Sequence, residues 1–129
     1  MKVTERWIRE AHRRLAHTLP LTHDWVTAVR IVQRTWPGTA AWMLSCSAHE
    51  GGHGEFVMNY QGSGAGGWMQ YMYGTWASHY NSAVALARWE HLAVPPPDAS
   101  SWTSPLGQAF AAGWGFYHQR SAWMGDPYC

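Results

Sequence analysis

No apolar run in this chain of 129 residues approaches the roughly 18 that a membrane-crossing helix needs, which excludes a helical membrane protein and any partner role for a membrane span. Charge is also scarce. Charged residues make up 13% of the chain and hydrophobic ones 47%, a balance that supplies a core and does not suit a disordered, heavily solvated polymer. The length leaves room for one compact domain, 1–129, and excludes a second catalytic unit. A formal net charge of +1 is too weak a basic field for bulk binding to phosphate backbones, so nucleic acid is excluded as a partner. Only two cysteines are present, Cys46 and Cys129, too far apart in sequence to suggest a metal-binding pair. The glycine-rich run from Gly62 to Gly67 is followed by no Gly-Lys-Ser/Thr, which rules out a phosphate loop. Internal repeats and low-complexity segments are absent.

What the chain has in excess is aromatic surface. Ten Trp, six Tyr and three Phe bring aromatics to 15%, more than a core of this size needs, so some rings should face a ligand. Flat rings with a polar edge suit sugars, bases or a membrane interface. The basic residues are unevenly spread. Lys2, Arg6, Arg9, Arg13, Arg14, Arg30 and Arg34 crowd the first 34 positions against Glu5, Glu10 and Asp24. That stretch reads as a solvated helix face or as a docking surface for an anionic wall polymer or a larger assembly.

Apolar positions Val3, Trp7, Ile8, Ala11 and Leu15 recur at helical spacing and predict a first helix that Pro20 stops. Thr22 is the expected N-cap of a second, carrying Trp25, Val26, Val29, Ile31 and Val32 and ended by Pro37-Gly38. Thr39 opens a third, Ala40 to Glu50, read as buried and terminated by Gly51-Gly52, one of which fits a left-handed C-cap. Phe56 to Gly67 predicts a loop or small irregular hairpin. Helical periodicity resumes at Met69–Tyr80 and at Ala83–Leu92, Pro95-Pro96-Pro97 is a stiff connector, and a last helix runs from Ser104, with Pro105 in its first turn, toward His118. The tail from Trp123 to Cys129 reads as irregular. The expected fold class is mainly α, with five or six helices and a glycine-rich excursion between the third and fourth.

His49-Glu50-Gly51-Gly52-His53 satisfies H-E-x-x-H, which would place two zinc ligands one turn apart. That geometry requires His49 and His53 on one continuous helix, and the paired glycines fall where this helix should end; a zinc peptidase is therefore the weaker alternative, and no metal is expected. Glu50 alone is better placed. At the end of an apolar helix, beside glycines that let a bulky substrate approach, desolvation and the negative helix end both favour the protonated form that a general acid needs.

Glu50, then Asn59, then Ser63 to Gly67 leading into Trp68-Met69-Gln70, with Thr75-Trp76 behind, is an ordered set of spaced motifs. It resembles the lysozyme-like lytic transglycosylases, from about Ala41 to Trp76 and more weakly to the C-terminus. The Glu-Gly-Gly start, Thr75-Trp76, Gly113-Trp114-Gly115 and the final cysteine resemble the resuscitation-promoting-factor branch. Gly51 stands where the family usually has Ser, and the late Tyr-Asn motif of the soluble enzymes has only Phe110-Ala111 to correspond to it.

The resemblance implies a compact lysozyme-like fold, with 1–37 as basic N-terminal helices and 38–129 as catalytic core. It also implies cleavage of the β-1,4 bond between N-acetylmuramic acid and N-acetylglucosamine in peptidoglycan, with no cofactor. Glu50 would be the single general acid/base, and Glu55 is the candidate second carboxylate that a hydrolase would need. Asn59, Gln70 and Thr75 are candidate substrate-binding residues, and Trp68, Tyr71, Tyr73, Trp102 and Trp114 candidate sugar platforms. Trp7, Trp25 and Trp42 fall in helical stripes and read as core. The same resemblance joins Cys46 to Cys129, which implies an oxidising place of action in the cell wall. Met1–Glu10 has charged residues where a signal peptide would be apolar. The expectation is delivery by a phage particle or holin, or a trimmed secreted enzyme. The alternatives are a muramidase on the same fold, the zinc peptidase, and a non-catalytic wall-binding or tail module.

Overall fold

The computed structural model describes residues 4–9, 17–118 and 129. Residues 4–9 are helical (α1), and Trp7 and Ile8 on this helix are exposed, Trp7 by 70%. Trp7 is thus not a core residue. A helical stripe shows that one face is apolar and not that something covers it. Val3, Ala11, Leu15 and the tail from Trp123 to Tyr128 lie outside the described residues.

The second helix, α2 (Trp25–Ile31), is capped by Asp24 and not by Thr22. The Asp24 carboxylate accepts the backbone N–H of Thr27 at 2.9 Å, which is the N3 donor that an N-cap side chain satisfies, while Thr22 Oγ1 accepts the N–H of Asp24 itself, one step outside the helix. A 3-10 turn, Val32–Arg34, tightens the end before Pro37-Gly38. Gln33 then organises the next start: its Oε1 accepts the N–H groups of Thr39 and Ala40, and its Nε2 donates to Val29 O and Thr39 Oγ1. This bracket replaces the side-chain cap that Thr39 itself does not make.

The third helix, α3 (Ala40–His49), buries Met43, Cys46 and Ser47 and leaves Ala41, Ala48 and His49 exposed. It is a surface helix with one inward face, contrary to the expectation of a buried one. Small alanines read as apolar filling in sequence, but they cost little to expose.

A small hairpin forms, but over 65–72 and not within Phe56–Gly67: antiparallel β1 (Ala65–Gly66) and β2 (Tyr71–Met72) pair across the Gly67–Gln70 turn, and the expected stretch itself contributes one isolated bridge, Met58 to Gly66. Met69 to Met72 is therefore turn and strand, not the start of a helix. Tyr71 faces in and Met72 out, the period-two alternation of a strand. The two predicted helical stretches beyond are one helix, α4 (Tyr73–Trp89), since Asn81 and Ser82 sit on its exposed side and interrupt nothing. A 3-10 turn, Pro97–Ala99, follows Pro96. The last helix, α5 (Pro105–Tyr117), starts as expected, with Ser104 Oγ accepting Gly107 N–H and Pro105 in the first turn.

The class is mainly α, and α5 is its axis: Pro105 to Gly113 is buried without interruption, with α2, α3 and α4 packed against it. Trp25, Trp36, Met43, Phe110 and Phe116 fill the centre. Residues from Leu19 to Trp36 supply much of this core, so the described part of the basic N-terminal region is not an appendage. Among the described residues, no helix is long and apolar enough to cross a membrane.

Candidate functional site

Glu50 is the C-cap of α3, half-buried, with its N–H donated to Cys46 O at 3.0 Å. Cys46 is bonded to Cys129, a link across 83 residues that joins the end of the sequence to the face carrying the acid. A Glu50 carboxylate oxygen and the two sulfurs all lie within 4.8 Å of one another. Both sulfurs are oxidised to the disulfide, so this trio lacks the thiolates a soft metal would take.

The backbone after Glu50 is fixed by two glycines. Gly51 donates its N–H to Trp68 O at 3.0 Å, and a Cβ at Gly51 would run into the carbonyl oxygen of Gly67. Only a residue without a side chain lets the end of α3 lie this close to the hairpin. Gly52, at φ +79°, is the left-handed residue expected after the helix. His49 is the last helical residue, whereas His53 lies beyond the glycines and donates from Nε2 to Leu44 O at 2.9 Å. The two histidines do not share a helical face, so the H-E-x-x-H geometry is not formed.

Opposite the acid's helix end lies the turn Gly67–Gln70, with Gly67 at φ +80° and Gln70 at φ +50°. Gln70 Nε2 donates to Gly67 O at 2.9 Å and to Val57 O at 3.2 Å, tying the turn to the segment just before the Met58 bridge. Its Oε1 has no donor among the described residues. Asn59 is a turn residue: its Oδ1 accepts Gln61 N–H at 2.7 Å and its own N–H goes to Ala65 O.

The aromatic candidates separate into walls and surfaces. Trp68 is only 3% exposed, stacked on Trp25 at 5.4 Å with the planes 4° apart, and its Nε1 donates to Gly54 O. Tyr71 is buried as well; its hydroxyl shares a 3.1 Å hydrogen bond with His79 Nδ1, and burial holds its pKa well above the ordinary tyrosine range. Neither ring can serve as an open platform, because both are consumed in packing the hairpin onto the core. Trp102 is half-buried, donates to Tyr71 O and meets Tyr73 edge-on at 5.8 Å. Trp114 is half-buried against His79, far along α5 from the turn. Burial lowers the pKa of His79. Thr75 and Glu55 are exposed, Glu55 in the loop before Phe56.

Around the hairpin, Tyr60 and Tyr73 are the exposed rings among the described residues, and Val57, Met58 and Met72 are exposed there too; Trp7, Trp89 and Tyr117 are exposed on other elements. Tyr60 was indistinguishable in sequence from a buried tyrosine.

The residue that holds this site together is Gln108, fully buried in α5 and not singled out by any motif. Its Oε1 accepts Met69 N–H at 3.1 Å, and its Nε2 donates to Gly66 O and Trp102 O, both at 3.0 Å. Gly67 must lack a side chain to let this amide in. The signal was present: one glutamine inside the otherwise apolar Leu106–Ala112 stretch, where a polar residue must find partners.

Comparison with protein-family models, with curated proteins and with solved structures finds no match to the chain.

Proposed function

We propose that the chain is a lysozyme-like domain that cleaves the N-acetylmuramic acid–N-acetylglucosamine β-1,4 bond of peptidoglycan as a lytic transglycosylase. The observation that carries this reading is the locked approach of Glu50 to the hairpin. The half-buried acid at the end of α3 sits on a helix end that the Gly51–Trp68 hydrogen bond holds against the Gly67–Gln70 turn, so the acid-bearing helix end and a turn rich in backbone polar groups are fixed together.

In this reading Glu50 protonates the glycosidic oxygen as the bond to the muramyl C1 breaks. As carboxylate it then takes the proton of the muramyl 6-hydroxyl, whose oxygen closes on C1 to give a 1,6-anhydro ring. Glu55, exposed on its loop, is not held by the α3–hairpin contact, which favours the single-carboxylate route. Tyr60 and Tyr73 take the platform role in place of Trp68 and Tyr71, with Trp102 supporting Tyr73. The disulfide suits action in an oxidising compartment such as the cell wall.

Mass spectrometry of digested sacculi tests this. Anhydro-muropeptides, lost in Glu50→Gln and kept in His53→Ala, are the expected products. New reducing ends would instead make it a muramidase, and trimmed stem peptides a peptidase. Pelleting with sacculi without release of fragments would make it a wall-binding module.

A further inference from the structure

A groove of about 430 Å³ lies between α4 and the proline connector, lined by Tyr80, Asn81, Val84, Ala85, Arg88, Pro95, Pro97 and Ser100. It shares no residue with the Glu50 wall. Its volume is within the range of sites that hold small ligands, about 300–1,000 Å³. The α4 residues follow helical spacing and put one face of the helix along the floor, ending at Arg88 in the last turn.

The lining has a definite chemical polarity. Among the described residues that line it, Arg88 is the only charged one and none is an acid. Tyr80 is hydrogen-bonded to Ser100 and feels the charge of Arg88; burial, the largest influence, raises its pKa, and these two contacts oppose the rise. The phenol is therefore a neutral group held near the guanidinium. Asn81 adds an amide able to donate and accept. The remaining surface, from Val84, Ala85, Pro95 and Pro97, is apolar and small. The prolines also make this wall stiff.

We propose that this groove binds the C-terminal carboxylate of a short peptide with small aliphatic side chains. Arg88 takes the carboxylate in a two-pronged hydrogen-bonded pair, which suits its planar fork. Asn81 reads the adjoining peptide group, and the Val84–Ala85–Pro95–Pro97 surface takes the side chains. The two negative charges of a phosphate dianion would find only one cation among the described lining residues.

The test is a titration of the full chain, followed by backbone amide chemical shifts, with acetyl-alanyl-alanine, its C-terminal amide and inorganic phosphate as probes. The expected result is a saturable shift of Tyr80, Asn81, Val84, Ala85 and Ser100 with the free carboxylate. The amide and Arg88→Gln should each weaken binding by roughly tenfold or more, the loss of one charge-assisted pair. Ala85→Trp, which fills the floor and leaves Arg88 in place, should abolish it. Equal binding of acid and amide, tighter binding of phosphate, full binding by Arg88→Gln or Ala85→Trp, or no saturable shift would overturn the proposal. None of these outcomes depends on activity at Glu50.

Discussion

A Cβ placed on Gly51 would collide with the carbonyl oxygen of Gly67, so the residue after the candidate acid and the first residue of the hairpin turn are in direct backbone contact. The obstacle is main chain on both sides and cannot swing aside as a flexible side chain would. Gly51→Ala is expected to destabilise by about 3 kcal/mol, toward the upper end for forced overpacking, and to lower glycan cleavage more than a comparably destabilising core variant such as Met43→Ala. Urea denaturation beside a sacculus-release assay measures both; cleavage that follows stability alone would separate the contact from the activity.

Gln108→Leu keeps the volume of the side chain but leaves Met69 N–H, Gly66 O and Trp102 O without their partners. Buried groups stranded in this way cost about 1–3 kcal/mol each, so a loss of roughly 3 kcal/mol is expected after partial relaxation. The amide proton of Met69 should exchange faster in hydrogen-exchange measurements, while those of α2 keep their rank order. Unchanged exchange at Met69 would deny Gln108 its bracing role.

Trp68 and Tyr60 are expected to behave oppositely. Trp68→Ala removes a ring stacked on Trp25 and should cost about 3–5 kcal/mol, as large aromatic truncations in cores do. Tyr60→Ala, at a side chain 93% exposed, should leave thermal stability unchanged and weaken co-sedimentation with sacculi. Normal sacculus binding by Tyr60→Ala would remove Tyr60 from the binding surface.

His79 makes stability depend on pH. Burial lowers its folded pKa below the ordinary value near 6.5, so the folded state disfavours the imidazolium. Above about pH 6.5 the ring is neutral in both states and carries no penalty. As pH falls below that value the unfolded chain binds the proton first, and stability drops until the folded imidazole is protonated as well. His79→Asn, which offers Tyr71 a polar partner without titrating, should flatten this part of a stability–pH profile. A profile identical to that of the unsubstituted protein would refute the assignment.

The disulfide spans 83 residues, and loop-closure entropy for such a span is worth about 4.5 kcal/mol. Cys129→Ser should lower the urea midpoint accordingly. The same midpoint is expected for the unsubstituted protein after reduction.

Local signals carried most of the helix starts and stops. Ser104-Pro105 and Gly51-Gly52 have one physical use each at a helix boundary, and both are used that way. Glu50 was legible for the same reason, since a carboxyl at a helix end followed by glycines is a local arrangement. What could not be read depended on partners distant in sequence. Met69–Met72 looked helical because its apolar residues continue the spacing of α4, and the left-handed Gln70 that breaks the run is supported by Val57 and Gly67. Trp68 looked like a platform because sequence does not say that Trp25 lies flat against it. Gln108 gathers groups 6, 39 and 42 residues away, and no window along the chain contains them together.

Backbone contact at Gly51 and Gly67 leaves the β1–β2 turn with no play, while a side chain added at Gly62, in the separate turn before β1, would meet nothing. Variation in reach should therefore be confined to the turn before β1. Lengthening the chain around residues 61–63 would extend the rim without disturbing the acid, whereas the same insertion near Gly67 would move it. Libraries meant to widen or narrow what the protein accepts should be built around residues 61–63.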